Sequence, residues 1–340
     1  MQLKSISVRN YKSIGKVDLE LGGLTCLVGR NGSGKSNLID AFAFIRDLGL
    51  TGLRPALETR DPSRLRYYGA REREPLSLEV ECTSHQTSSP LDLNYHYAVE
   101  LRNDCRSVER ELFSTGGQSE PLFSMTGNKE GWQLKFKGQT STTGIQELVS
   151  PLFDWYTHQV PELQPFRKFL ASFQFYRFLP DYLKRPGKAV RVERLDREGG
   201  NFASYLHTIQ SSHKKSFARI ESELSKNFPE IEELGTNLTP EGGVEVMIKE
   251  RWFDRGAHGF QLSDGLAGFL AHLVALYGPD APALVVFEEP ENYIHPRLME
   301  RLVDMLKGAT KTAQVMISTH SVPLINQLAL KDLLIIERTQ

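Results

Sequence analysis

Gly29-Arg30-Asn31-Gly32-Ser33-Gly34-Lys35-Ser36 constrains this chain more than any other stretch, because it fits G-x-x-x-x-G-K-[ST] at every fixed position. The five residues before it, Leu24-Thr25-Cys26-Leu27-Val28, read as a strand covered on both faces. After it, Leu38, Phe42 and Ile45 recur at helical spacing, which predicts an amphipathic helix from Ser36 to about Leu48. Buried strand, glycine turn and helix in that order make a phosphate-binding loop. Successive backbone N–H groups point at phosphate oxygens, the helix adds its positive end, Lys35 reaches the β/γ-phosphates and Ser36 can bind Mg2+. The expected nucleotide-binding residues here are Gly29, Asn31, Gly32, Ser33, Gly34, Lys35, Ser36 and Asn37.

Three further pieces carry chemistry. Ala283-Leu284-Val285-Val286-Phe287 delivers Glu288-Glu289-Pro290-Glu291 at a strand's C-terminal end, where α/β folds bind ligands. Glu288 is expected beside the Mg2+ and Glu289 as general base for the attacking water. The bland alternative is a solvated acidic turn. Ile317-Ser318-Thr319-His320-Ser321 is a second buried strand with a polar end, and His320 is placed to sense the γ-phosphate or the water. Gln261-Leu262-Ser263-Asp264-Gly265-Leu266 precedes an apolar helix from Ala267 to about Tyr277. Ser263 suits an N-cap there, and taken singly the motif is an ordinary cap.

Composition sets limits around these motifs. The 41 Lys+Arg nearly cancel the 42 Asp+Glu, for a net charge of −1 over 340 residues. Bulk attraction to nucleic acid is thereby excluded, so such binding needs a local patch. Three separated cysteines, Cys26, Cys82 and Cys105, suggest neither a disulfide frame nor a zinc site. No apolar stretch is long enough for a membrane span, and the start alternates at once like a strand rather than a signal peptide. A cytoplasmic location is expected.

Residues 1–75 read as the N-terminal part of a nucleotide-binding core and 76–140 as an antiparallel β-meander. Residues 141–240 read as a mostly helical lobe, interrupted by a strand at Phe173–Leu179, and 241–340 as the C-terminal part of the core. The expected fold is α/β with a mostly parallel core sheet, a meander and a helical lobe.

A phosphate loop, Leu-Ser-x-Gly, an apolar strand ending in Glu-Glu-Pro, and Ser-Thr-His, in that order, resemble ABC-type P-loop ATPase heads of the RecF/SMC-like branch. Val8-Arg9-Asn10-Tyr11-Lys12-Ser13-Ile14 looks like that branch's opening strand and turn. Glu288-Glu289-Pro290-Glu291-Asn292-Tyr293-Ile294-His295-Pro296 is similar to RecF-like ATPases and the heads of overcoming-lysogenization-defect nucleases. The resemblance implies ATP and Mg2+ as cofactors, with Ser36 and Glu288 on the metal. It implies catalysis by Lys35, Glu289 and His320, and a head-to-tail homodimer in which Ser263 and Gly265 close over the partner's γ-phosphate.

Departures from the transporter pattern are Glu288 for an aspartate, His295 at a dimer-interface aspartate, and Asp264 for a signature glycine, which adds negative charge near the partner's phosphate. The magnesium-side glutamine has no clear counterpart, and Asp181 is the nearest candidate. The interval from Lys35 to Glu288 leaves no space for long arms, and with few residues after Leu333–Ile336 a stand-alone head without a fused nuclease is expected. Lys184, Arg185, Lys188, Arg191, Arg194 and Arg197 face only Glu193 and Asp196, and Arg54, Arg60, Arg64, Arg66, Arg71 and Arg73 form a looser group. These patches suit DNA, in repair or phage defence with a separate nuclease or toxin. A solvated charged surface or intramolecular ion pairing is the alternative, and the more usual one for any charge run. A protein partner bound through 75–230 and a catalytically inert nucleotide-binding protein stay open as other readings.

Overall fold

The structure is a computed structural model that describes residues 1–71, 74–84, 93–116, 121–128, 131–136, 139–143, 163–279 and 282–337. The chain begins with β1 (Gln2–Tyr11), β2 (Ile14–Glu20) and β3 (Leu24–Val28), then α1 (Lys35–Thr51) and α2 (Leu53–Glu58). Six strands follow: β4 (Leu76–Ser84), β5 (Leu93–Leu101), β6 (Val108–Thr115), β7 (Phe123–Asn128), β8 (Gly131–Phe136) and β9 (Gln139–Thr143). Next come α3 (Leu163–Ala171), β10 (Gln174–Tyr176), α4 (Pro180–Leu183), β11 (Gly187–Lys188), α5 (Phe202–Ser212) and α6 (Lys214–Asn227). The rest holds β12 (Ile231–Leu238), β13 (Gly243–Glu250), β14 (Ala257–His258), α7 (Asp264–Tyr277) and β15 (Leu284–Glu288). It ends with α8 (Met299–Ala309), β16 (Gln314–Thr319), α9 (Val322–Ile325) and β17 (Leu333–Ile335).

Two compact units divide these elements. Met1–Gly22, Asn31–Phe173 and Ile336–Gln340 form one, and Gly23–Arg30 with Gln174–Ile335 the other. In the first, an antiparallel sheet runs β2-β1-β4-β5-β6-β7-β8-β9. The meander is thus continuous with the opening hairpin, in register through Ile6↔Val80 and Val8↔Leu78. Period-two burial explains it: Ile6, Val8, Leu76, Leu78, Val80, Tyr95, Tyr97 and Val99 are buried while their neighbours are not. Phe166 of α3 closes that face, with ring centroids 5.7 Å from Tyr97 and 5.3 Å from Phe113. The residues expected to be helical at 144–162 lie outside the described ones.

In the second unit, a parallel sheet runs β10-β15-β16-β3-β17. Every residue of β15 and β16 is buried, as two-sided coverage requires. Helix α7 is buried continuously from Ala267 to Leu276. At about 1.5–3 kcal/mol per buried large apolar side chain, that run outweighs any helix-propensity term, so packing places the helix. A smaller antiparallel sheet, β11-β13-β12 with β14 beside β13, packs Leu234, Val244, Val246 and Ile248 into the same core as α5 and α6. Strand β12 falls at the end of the stretch expected to be helical. Its weak alternation is organised by pairing with β13, for example Leu234↔Ile248. Among the described residues no helix is long and apolar enough to cross a membrane.

Candidate nucleotide site

The glycine loop leaves the end of β3 and enters α1. Gly32 and Gly34 sit at φ 78° and 111°, in the region that residues with a Cβ avoid. Gly34 is the N-cap position of α1 and carries no side-chain cap, and no acid occupies the helix's first turn. A helix start without a side-chain cap or an acid of its own suits an anion, toward which its positive end points. Ser33 Oγ is buried with no hydrogen-bond partner. Lys35 is 6% exposed, and Asn31 and Ser36 are exposed. Asn37 anchors the loop, its Nδ2–H donating to Ser13 Oγ at 2.7 Å. An orphaned hydroxyl, an uncapped helix start and a buried ammonium together fit a polyphosphate.

A cleft of about 620 Å3 opens in the first unit, lined by Lys12, Ser13, Asp40, Arg60, Tyr67 and Tyr68 among others. Asp40 is its electrostatic centre. It accepts from Tyr11 Oη at 2.6 Å and Arg60 Nε at 3.1 Å, and pairs with Lys12 Nζ at 2.5 Å. Burial pushes the Asp40 carboxyl up, but the Arg60 charge and the Lys12 and Tyr11 hydrogen bonds outweigh it and hold it below its ordinary value.

In the second unit, β15 and β16 run parallel with Glu288 opposite Ser318, so both strands deliver their ends to one edge. Glu288 is buried. Glu289 takes φ 48°, a left-handed conformation costly for a residue with a Cβ, and its N–H donates to Ser318 O at 2.8 Å. That turn brings Glu289 Oε1 to 3.2 Å from His320 Nδ1, while Asn292 Nδ2–H donates to Oε2 at 2.9 Å. Glu291 accepts from Thr319 Oγ1, and its other oxygen is buried without a partner. Burial raises its pKa.

Ser263 caps α7, its Oγ accepting from Leu266 N–H at 3.2 Å. Gly265 packs so closely on the 293–295 turn that a Cβ there would lie 3.1 Å from Tyr293 O. The added negative charge at Asp264 is met by Lys184 Nζ at 2.6 Å. His295 is exposed and accepts from Arg297 N–H at 3.2 Å. Asp181 is exposed in the first turn of α4, whereas the group that reaches Glu288 is the Arg197 guanidinium.

Ion pairing therefore consumes half of the basic stretch: Lys184 with Asp264, Arg191 with Glu193 at 2.6 Å, and Arg197 with Glu288. Arg185 lies over the Tyr182 ring, 4.9 Å from its centroid. In the looser group, Arg60 bridges Asp40 and Asp47, and Arg64 pairs with Asp61 at 3.4 Å. Arg73 lies outside the described residues. Lys184 and Arg197 as partners of site acids were not legible in the sequence, whose only signal was the local surplus of four positive charges.

A family profile described as "AAA domain, putative AbiEii toxin, Type IV TA system" matches residues 142–326, more than half of the chain. The chain belongs to this AAA-domain family. A second profile, an AAA ATPase domain, matches residues 1–149 of the AAA-family chain. It is 32% identical over 158 residues to chromosome partition protein Smc of Clostridium kluyveri, covering 43% of this chain and 13% of that protein. It is 45% identical over 49 residues to DNA replication and repair protein RecF of Paenarthrobacter aurescens, covering 14% and 12%.

Among solved structures, an Smc head bound to the C-winged helix domain of ScpA superposes with TM-score 0.56 at 17% identity, over 96% of this chain and 92% of that one. An Smc head with an extended coiled coil, bound to the C-terminal domain of ScpA derived from Pyrococcus furiosus, gives 0.53 at 16%, over 99% and 94%. The AAA-family chain has the fold of an SMC/RecF-like ABC-type ATPase head, and it spans only a small part of the Smc and RecF relatives it matches.

Proposed function

We propose that the chain binds ATP with Mg2+ and hydrolyses its β–γ bond, two copies pairing head-to-tail around the nucleotide. The observation that carries this reading is the β15–β16 edge, where a strained Glu289 meets His320 next to the buried Glu288. Lys35 and the amides of residues 29–37 hold the β/γ-phosphates. Ser36 and Glu288 supply the protein's metal ligands. Two protein ligands leave the other positions on Mg2+ to phosphate oxygens and water, as is common for this ion. When bound, Mg2+ neutralises charge developing on the phosphates.

Glu289 takes the proton of the attacking water, and His320 fixes the orientation of that carboxylate. The cleft beside Ser13 has the size and the tyrosines to lodge the base. Ser263 and Gly265 act on the second copy's nucleotide, and Lys184 keeps Asp264 from repelling it.

DNA in repair or phage defence, with a separate nuclease or toxin, is one partner for this switch. A protein partner is the reading favoured by internal pairing of Lys184, Arg191 and Arg197. Sizing of Glu289→Gln with ATP, with and without DNA, tests both levels. A nucleotide-dependent dimer is expected, absent in Lys35→Ala. Unchanged size and unchanged ATP turnover in both variants would remove the catalytic assignment. Salt-sensitive DNA binding lost in Arg185→Glu/Lys188→Glu would restore the DNA reading.

A further inference from the structure

Arg197 touches Glu288 Oε1, yet the two side chains live in different surroundings: Glu288 is 7% exposed and Arg197 48%. A carboxylate that deep carries a large desolvation penalty unless a positive charge faces it. Arg197 is held at that point by its backbone. Its carbonyl accepts from Arg177 N–H at 2.8 Å, and the Glu198 carbonyl accepts from Leu179 N–H at 3.2 Å. Residues 197–198 therefore run beside the chain leaving β10, whose Tyr176 is paired with Phe287, the residue before Glu288. Asn201 closes the turn from both sides, accepting from Asp196 N–H at 2.9 Å and donating to Arg194 O at 2.9 Å. Gly199, at φ 84°, completes it, and a Cβ there would lie 2.3 Å from Leu183 Cδ2.

We propose that Arg197 is the resident counter-ion of Glu288, exchanged for the divalent cation when the nucleotide loads, so that it sets the metal concentration at which the site fills. The inference rests on Glu288 being the magnesium-side acid. A guanidinium and a divalent ion repel each other at one carboxylate oxygen, so occupancy by one opposes the other. The exchange is lopsided. Glu288 is fixed at a strand end, whereas the half-exposed Arg197 can turn its head to water.

Mn2+ titrated against the full chain in the presence of a non-hydrolysable ATP analogue, with free Mn2+ read by EPR, tests this without turnover. Arg197→Gln should half-saturate at roughly three- to fivefold lower Mn2+, the range a partly screened pair supports, with Arg197→Lys near wild type. In EDTA, Arg197→Gln should melt below wild type, and saturating Mn2+ with the analogue should close the gap. Folding of that variant only with metal would support the proposal, and failure to fold with or without metal would overturn it. Equal or weaker Mn2+ uptake by Arg197→Gln, with wild type loading normally, overturns the Arg197 role alone. No uptake by wild type overturns the reading of Glu288 as well.

Discussion

Lowering the pH from 7 to 5 should destabilise the second unit through one buried ring, His272. It lies in the middle of α7, its centroid 4.8 Å from Phe287 and 5.1 Å from Phe178, with Nδ1–H donating to Gly268 O at 2.7 Å. Burial pushes its pKa down to about 4, and the Gly268 hydrogen bond only partly opposes this. The unfolded value is about 6.5. Between those values the unfolded chain binds a proton that the folded chain refuses, so stability is complete above pH 6.5 and falls as the pH drops. At 1.36 kcal/mol per pH unit, the loss from this ring between pH 7 and 5 is about 2 kcal/mol.

His272→Phe keeps the ring volume and cannot titrate. Asp40, Asp18 and Glu79, whose folded pKa values are lowered, weaken both proteins in acid alike. Urea unfolding of wild type and variant at both pH values, followed by tryptophan fluorescence and circular dichroism, isolates the difference. Wild type should lose about 2 kcal/mol more than His272→Phe. Equal losses would mean that the ring is charged or hydrated in the folded protein, and the account of the core beneath Glu288 would be wrong.

Asp40→Ala should cost about 3 kcal/mol, because Arg60, 7% exposed at its side chain, keeps only Asp47 as a charged partner among the described residues. Chemical denaturation reads it, and a loss below about 1 kcal/mol would make the network a surface feature. Glu289→Gly and Glu289→Ala both remove the carboxylate, but only alanine retains the left-handed strain at φ 48°. The glycine variant should be the more stable by about 1 kcal/mol. Identical denaturation midpoints would show that the turn carries no strain.

Residues close in sequence made the phosphate loop legible: strand, glycines and helix start are contiguous, and their chemistry is local. The Ser263 cap and the ends of β15 and β16 were equally readable, since an apolar run that stops at polar residues marks its own boundary. What stayed hidden came from distant segments. The run at 231–238 alternates too weakly to announce β12, and only β13 opposite it organises the strand. The continuity of β1 and β2 with the meander was not visible either, because 1–28 and 75–140 each alternate well enough to stand alone.

The basic stretch at 184–197 marks the division between what the sequence by itself determines and what tertiary structure decides. Composition establishes its surplus charge, and a charge run is identical on paper whether it faces solvent, DNA or the chain's own acids. Only the fold carries Lys184 to Asp264, 80 residues away, and Arg197 to Glu288, 91 residues away. Ligand-seeking motifs are written in the sequence because backbone geometry and residue type create them within a few positions. The charge balance around them is decided by tertiary structure, because electrostatic energy depends on distance and burial, which sequence separation does not encode.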